Sequence, residues 1–113
     1  MKAAFIGFRH GHIVGLYNRL KDDPQCEIVA ACEEDPKENW GVDITHSSFS
    51  DLLADTDFDI LAIGDYFGIR GSRAIAGLKA GKHVIADKPL CTSPEELAEI
   101  RSLASEKKLA VGL

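Results

Sequence analysis

Four short segments carry side chains able to do chemistry, and each follows an apolar run. The first is Gly7-Phe8-Arg9-His10-Gly11-His12. A glycine turn leading from a strand into a helix lets backbone N–H groups and the positive helix end approach a pyrophosphate. The dinucleotide pattern is G-x-G-x-x-G. Gly7 holds its first position, while Arg9 and His12 stand at the second and third. A side chain at the second position hinders close backbone approach, but Arg9, His10 and His12 add donors, and Arg9 adds fixed charge. Residues 7–12 are therefore expected to bind an anion; the alternative is a plain turn with exposed histidines. His10 and His12 lack a third ligand, so no metal site is expected.

The second segment is Glu33, followed by Glu34, Asp35 and Pro36. A carboxylate just beyond a second strand can accept both hydroxyls of an adenosine ribose. Its charge repels a 2′-phosphate and no arginine is adjacent, so NAD is expected ahead of NADP. Glu34 and Asp35 suit the acidic start of a helix. The third segment is Gly64-Asp65-Tyr66-Phe67-Gly68-Ile69-Arg70. Its aromatic pair could flank adenine or nicotinamide, with Asp65 and Tyr66 as cofactor contacts, or pack against a second domain or partner chain. The fourth is Asp87-Lys88-Pro89. A partly buried Lys88 could donate to a substrate oxygen, which makes it the candidate catalytic residue, while Pro89 fixes the turn.

The elements that must position these segments alternate. Short apolar runs at 3–6, 27–32, 59–64, 83–86 and 109–113 predict strands, with a weaker one at 44–47. Ile13, Leu16, Tyr17 and Leu20 share one face of a helix over 12–22. A short helix is expected from Asp35-Pro36, another over 51–54 capped by Ser50, and a third over 72–80 ended by Gly81. Ser93-Pro94-Glu95-Glu96 starts a last helix, expected to bury Leu97, Ile100, Leu103 and Ala104. Such alternation implies right-handed crossovers. The expected fold is a doubly wound α/β parallel sheet of the Rossmann type, about six strands with helices on both faces.

The chain has 113 residues, 45% of them hydrophobic and 27% charged, which suits one soluble domain. A net charge of −5 with scattered basic residues argues against nucleic acid. No apolar run is long enough for a signal peptide or a membrane span. Cys26, Cys32 and Cys91 form no paired framework and read as small apolar filler in a reducing compartment, so a cytoplasmic location is expected.

Together the segments resemble the N-terminal domain of the glucose–fructose oxidoreductase, inositol dehydrogenase and rhizopine-catabolism (Gfo/Idh/MocA) family. The most specific stretch is Ala80-Gly81-Lys82-His83-Val84-Ile85-Ala86-Asp87-Lys88-Pro89-Leu90, which is similar to the family's A-G-K-H-V-x-x-E-K-P, with Asp87 in place of glutamate. Ser93–Leu97 and Ile28–Glu33 fit as well. The resemblance implies NAD(P) binding and hydride transfer to or from sugars, inositols and related polyols. It implies that Lys88 assists catalysis, Glu33 binds the adenosine ribose and residues 7–12 hold the pyrophosphate. The sequence departs from the family at Arg9 and His12, at Gly64–Phe67 where A-T-P-N is usual, and at Arg70 where a histidine is usual. It also implies an α+β substrate domain after the sixth strand, which these 113 residues do not include, so turnover by this segment alone is not expected. Two other readings stand beside it: a Rossmann sensor or interaction module without cofactor, favoured if Arg9 or His10 fills the turn, and a component of an obligate complex or homo-oligomer.

Overall fold

The computed structural model describes residues 1–35, 41–86 and 89–112. Five strands form one parallel sheet: β1 (Lys2–Ile6), β2 (Glu27–Cys32), β3 (Ile60–Ile63), β4 (His83–Ala86) and β5 (Val111–Gly112). Their order is β2-β1-β3-β4-β5. After β1 the chain builds outward on one side to β2, then crosses to the other side for β3. The reversal lies between β1 and β3, where a doubly wound sheet opens its ligand crevice. Ala3, Ala4, Phe5 and Ile6 are all fully buried, because a parallel strand covered on both faces has no solvent side.

Among the described residues four helices cover the sheet: α1 (Gly11–Lys21), α2 (Phe49–Asp55), α3 (Phe67–Lys79) and α4 (Pro94–Lys107). On one face, Phe49 and Leu52 of α2, Ala74 and Leu78 of α3 and Ile100 of α4 pack with Ile6, Leu61, Ile63 and Val84. On the other, Ile13 and Tyr17 of α1 pack with Ala3, Phe5, Phe8 and Ala62. Phe5, Phe8 and Tyr17 form an aromatic cluster with ring centroids 5.3–5.9 Å apart. None of the helices among the described residues is long and apolar enough to cross a membrane.

Several expectations need correction. The stretch 44–47 is no strand, only a bridge from His46 to Cys32. At this edge the Thr45 Oγ1 accepts the Ala31 N–H at 2.9 Å, in place of a backbone carbonyl, while the Thr45 N–H donates to the Ala31 carbonyl at 2.8 Å. The cap of α2 is Ser48, whose Oγ accepts the Asp51 N–H, and Ser50 lies within the helix. Helix α3 begins at Phe67, five residues early, because the Tyr66 carbonyl accepts from Ile69 and Arg70. Gly68 and Gly71 had hidden its first turn. Gly71 lies where α3 passes α4, and a Cβ there would sit 2.5 Å from the Glu96 carboxylate, which would have to turn aside. Leu97 is exposed rather than buried. The helix expected from Asp35-Pro36 falls at 36–40, outside the described residues.

Ser93 caps α4 as expected, its Oγ accepting the Glu96 N–H at 3.1 Å. Gly81 ends the α3 segment at φ +81°. Cys26, Cys32 and Cys91 form no disulfide, and burial pushes the Cys32 thiol up to about 12.

Candidate functional site

The crevice is built on two glycines. Gly7 ends β1 at φ +82°, a conformation side chains rarely adopt, and a Cβ on it would meet the Asp65 backbone at 2.8 Å. Gly64 ends β3, and a Cβ there would lie 2.5 Å from the Gly7 carbonyl oxygen. The two strand ends therefore touch backbone to backbone. The Arg9 N–H donates to the Gly64 carbonyl at 3.1 Å and the Gly64 N–H to the Ile6 carbonyl at 2.9 Å.

Above this floor lies a cavity of about 730 Å³. Arg9, His10, Gly11 and His12 form one wall, and Asp65, Tyr66, Phe67 and Arg70 another. The N-terminus of α1 opens into it. His10 is the N-cap with extended backbone and no side-chain cap bond, and the first turn holds no acid. A Cβ at Gly11 would meet nothing within 4 Å. A helix N-terminus whose cap residue makes no side-chain bond, with its dipole facing open space, is what a pyrophosphate requires. Tyr66 and Phe67 are about half exposed on the opposite wall, large apolar rings at a sheet edge. The crevice thus fits a dinucleotide in volume, donors and aromatic surface.

The predicted residues fall into distinct places. Phe8 belongs to the core rather than the cavity: it is buried against Phe5 and Tyr17, and contributes its N–H. That N–H donates to Glu33 Oε1 at 3.2 Å. Glu33 is only 4% exposed and takes a second backbone donor, the Asp35 N–H, on Oε2 at 3.1 Å. Its principal partner is Arg9. The guanidinium meets the carboxylate fork to fork, Nη1 on Oε1 and Nη2 on Oε2 at 2.6 Å, with a third bond to the Asp35 carbonyl at 3.1 Å. Arg9 also lies 4.7 Å from the centroid of the Tyr66 ring and 3.7 Å from Asp65 Oδ1. Burial opposes its charge, but the hydrogen bond and charge of Glu33, with Asp65, outweigh that and raise its pKa. Asp87 and Lys88 lie outside the described residues. Pro89 is exposed, and its carbonyl accepts from Arg70 at 3.3 Å.

Arg73 is the residue that the sequence did not flag. It donates to Asp65 Oδ2 at 3.2 Å and pairs with Glu34. Glu34 also accepts the Phe49 N–H at 2.9 Å, and these two contacts, the backbone one foremost, hold its carboxyl below the usual range. No spacing in the sequence pointed to Arg73. The expectation that no arginine adjoins the ribose carboxylate is corrected in space: Arg9 sits on Glu33, and Arg73 on its neighbour Glu34.

A five-stranded parallel sheet with a glycine turn at its switch point and an acid at the end of the adjoining strand defines a dinucleotide-binding Rossmann fold. The profile of the Gfo/Idh/MocA oxidoreductases, described as an oxidoreductase family with NAD-binding Rossmann fold, matches residues 1–113, and the chain belongs to that family. Among curated relatives it is 28% identical over 98 residues to 1-carboxy-3-chloro-3,4-dihydroxycyclohexa-1,5-diene dehydrogenase of Comamonas testosteroni, covering 80% of this chain and 25% of that protein. It is 28% identical over 72 residues to 1,5-anhydro-D-fructose reductase of Ensifer adhaerens, covering 64% and 22%. The WlbA dehydrogenase of Chromobacterium violaceum, solved with NADH and UDP-GlcNAcA, superposes with TM-score 0.78 at 28% identity over 98% of this chain and 34% of that one. Myo-inositol 2-dehydrogenase of Lactobacillus plantarum shares the fold, with TM-score 0.81 at 21% identity over 99% and 36%. The chain thus spans about a quarter of these curated relatives and a third of these solved structures.

Proposed function

We propose that this chain is the cofactor domain of an oxidoreductase that transfers hydride between NAD and a sugar, inositol or related polyol. The observation that carries the proposal is the open N-terminus of α1 facing a cavity of about 730 Å³, with Glu33 one strand away. The backbone N–H groups at Gly11 and His12 would hold the pyrophosphate, Glu33 the adenosine ribose, and Tyr66 and Phe67 would flank a flat ring. The nicotinamide supplies or accepts the hydride. Lys88 is proposed to donate to the substrate oxygen.

NAD is favoured over NADP because a 2′-phosphate would meet the Glu33 carboxylate charge against charge where the ribose hydroxyls would bond to it. Substrate binding is assigned to polypeptide outside these 113 residues. Hydride transfer needs the substrate held at near-attack distance, so this domain alone binds nucleotide without turning over. The test is calorimetric titration with NAD. Binding at millimolar concentration or below, weakened about tenfold by Glu33→Ala, is expected. No heat at millimolar NAD rejects the proposal.

One observation favours a second reading, a Rossmann module that no longer uses a cofactor. Glu33 is already engaged on both oxygens by Arg9. On that reading NAD fails to bind and Glu33→Ala only loosens the fold.

A further inference from the structure

We propose that Arg9 is a specificity-determining residue: it occupies the ribose carboxylate in the unliganded domain and yields it only to ligands that carry a diphosphate. The proposal rests on the nucleotide-binding reading above. A ribose diol and the Arg9 guanidinium make the same demand on Glu33, two donors onto two carboxylate oxygens. Glu33 already accepts the Phe8 and Asp35 N–H groups at 3.2 and 3.1 Å, so it has no room for the diol while Arg9 stays. The guanidinium also covers the Tyr66 ring at 4.7 Å. One movement of one side chain therefore uncovers both the carboxylate and the aromatic face.

Charge decides which ligand can cause that movement. The Arg9 and Glu33 side chains are only 12% and 4% exposed. Separating a nearly buried ion pair leaves both charges short of partners. A nucleoside offers Glu33 two neutral hydroxyls and Arg9 nothing. A dinucleotide offers Arg9 an anion with the geometry of a bidentate partner. That anion belongs at the N-terminus of α1, and Arg9 lies one residue before its N-cap, on the wall of the same cavity. The guanidinium is also not fully engaged where it sits: its buried Nε has no hydrogen-bond partner among the described residues.

The experiment titrates the wild-type domain, Arg9→Ala and Arg9→Lys with NAD and with adenosine by calorimetry, with thermal melts to confirm folding. Wild type is expected to prefer NAD strongly. Arg9→Ala binds adenosine more tightly than wild type and NAD more weakly, so the preference falls by about tenfold or more. Arg9→Lys, which keeps the charge without the fork, falls between and serves if the alanine variant does not fold. An unchanged NAD-to-adenosine ratio overturns the proposal, whether both affinities fall together or neither moves. If NAD binds and Glu33→Ala weakens it while that ratio holds, only the role of Arg9 fails. If no protein binds either ligand, the nucleotide reading fails with it.

Discussion

Glu33 gathers two backbone N–H groups and a guanidinium around one carboxylate, and the geometry depends on how closely β1 and β3 end against each other. Gly64 sets that closeness. A Cβ there would fall 2.5 Å from both the Gly7 carbonyl oxygen and the Ile13 side chain. One of these obstacles is backbone and cannot rotate away. Gly64→Ala is therefore expected to lower stability by about 3 kcal/mol, the upper range for overpacking a filled site, as read by urea unfolding. Gly7 is held by its φ of +82° and by the Asp65 backbone, so the two positions fail for related reasons.

Among the elements, α2 and α3 are tied to the end of β2 through Glu34. It accepts the first backbone N–H of α2, from Phe49, and pairs with Arg73 of α3. Its pKa in the folded state lies below the reference value of 4.5. A depressed carboxyl contributes stability above its unfolded pKa and loses it as the pH falls through the folded value. Wild type should thus exceed Glu34→Gln in stability at pH 7, with the gap closing as the pH falls below 4.5. The Glu34 side chain is 38% exposed, so solvent screening keeps the difference under about 1 kcal/mol. Urea midpoints of both proteins across pH 3–7 measure it; a gap independent of pH contradicts the assignment. At α4, the Ser93 cap, Pro94 in the first turn and the acidic residues Glu95 and Glu96 all mark the start of the helix locally.

In the whole molecule, the two packed faces share one sheet, so neither can be lost alone. Leu61 lies at its centre on β3, between β1 and β4, and is fully buried against α3 and α4. Leu61→Ala leaves a cavity that these rigid neighbours cannot close, at a cost of about 3 kcal/mol. Unfolding of the variant is expected to remain a single transition, coincident by far-UV circular dichroism and by amide NMR signals from both faces. Separate transitions would mean that the α1 face folds independently of the other.

Local chemistry was enough to fix much of this protein. The apolar runs at 3–6, 27–32 and 83–86 became β1, β2 and β4, because a buried parallel strand is recognised by composition alone. Gly81 and Ser93 marked helix boundaries, since caps act within a few residues. The apolar spacing also placed Ile13 and Tyr17 on the buried side of α1. Local pattern failed at Thr45, whose side chain accepts a sheet-edge N–H, and at Gly68 and Gly71, which lie within α3 although glycine disfavours helix. The state of the site was decided only in three dimensions. Arg9 reaches Glu33 across 24 positions and Arg73 reaches Glu34 across 39. Which charges meet depends on the strand order β2-β1-β3, and that order follows from burying both sheet faces at once, which no short stretch of sequence encodes.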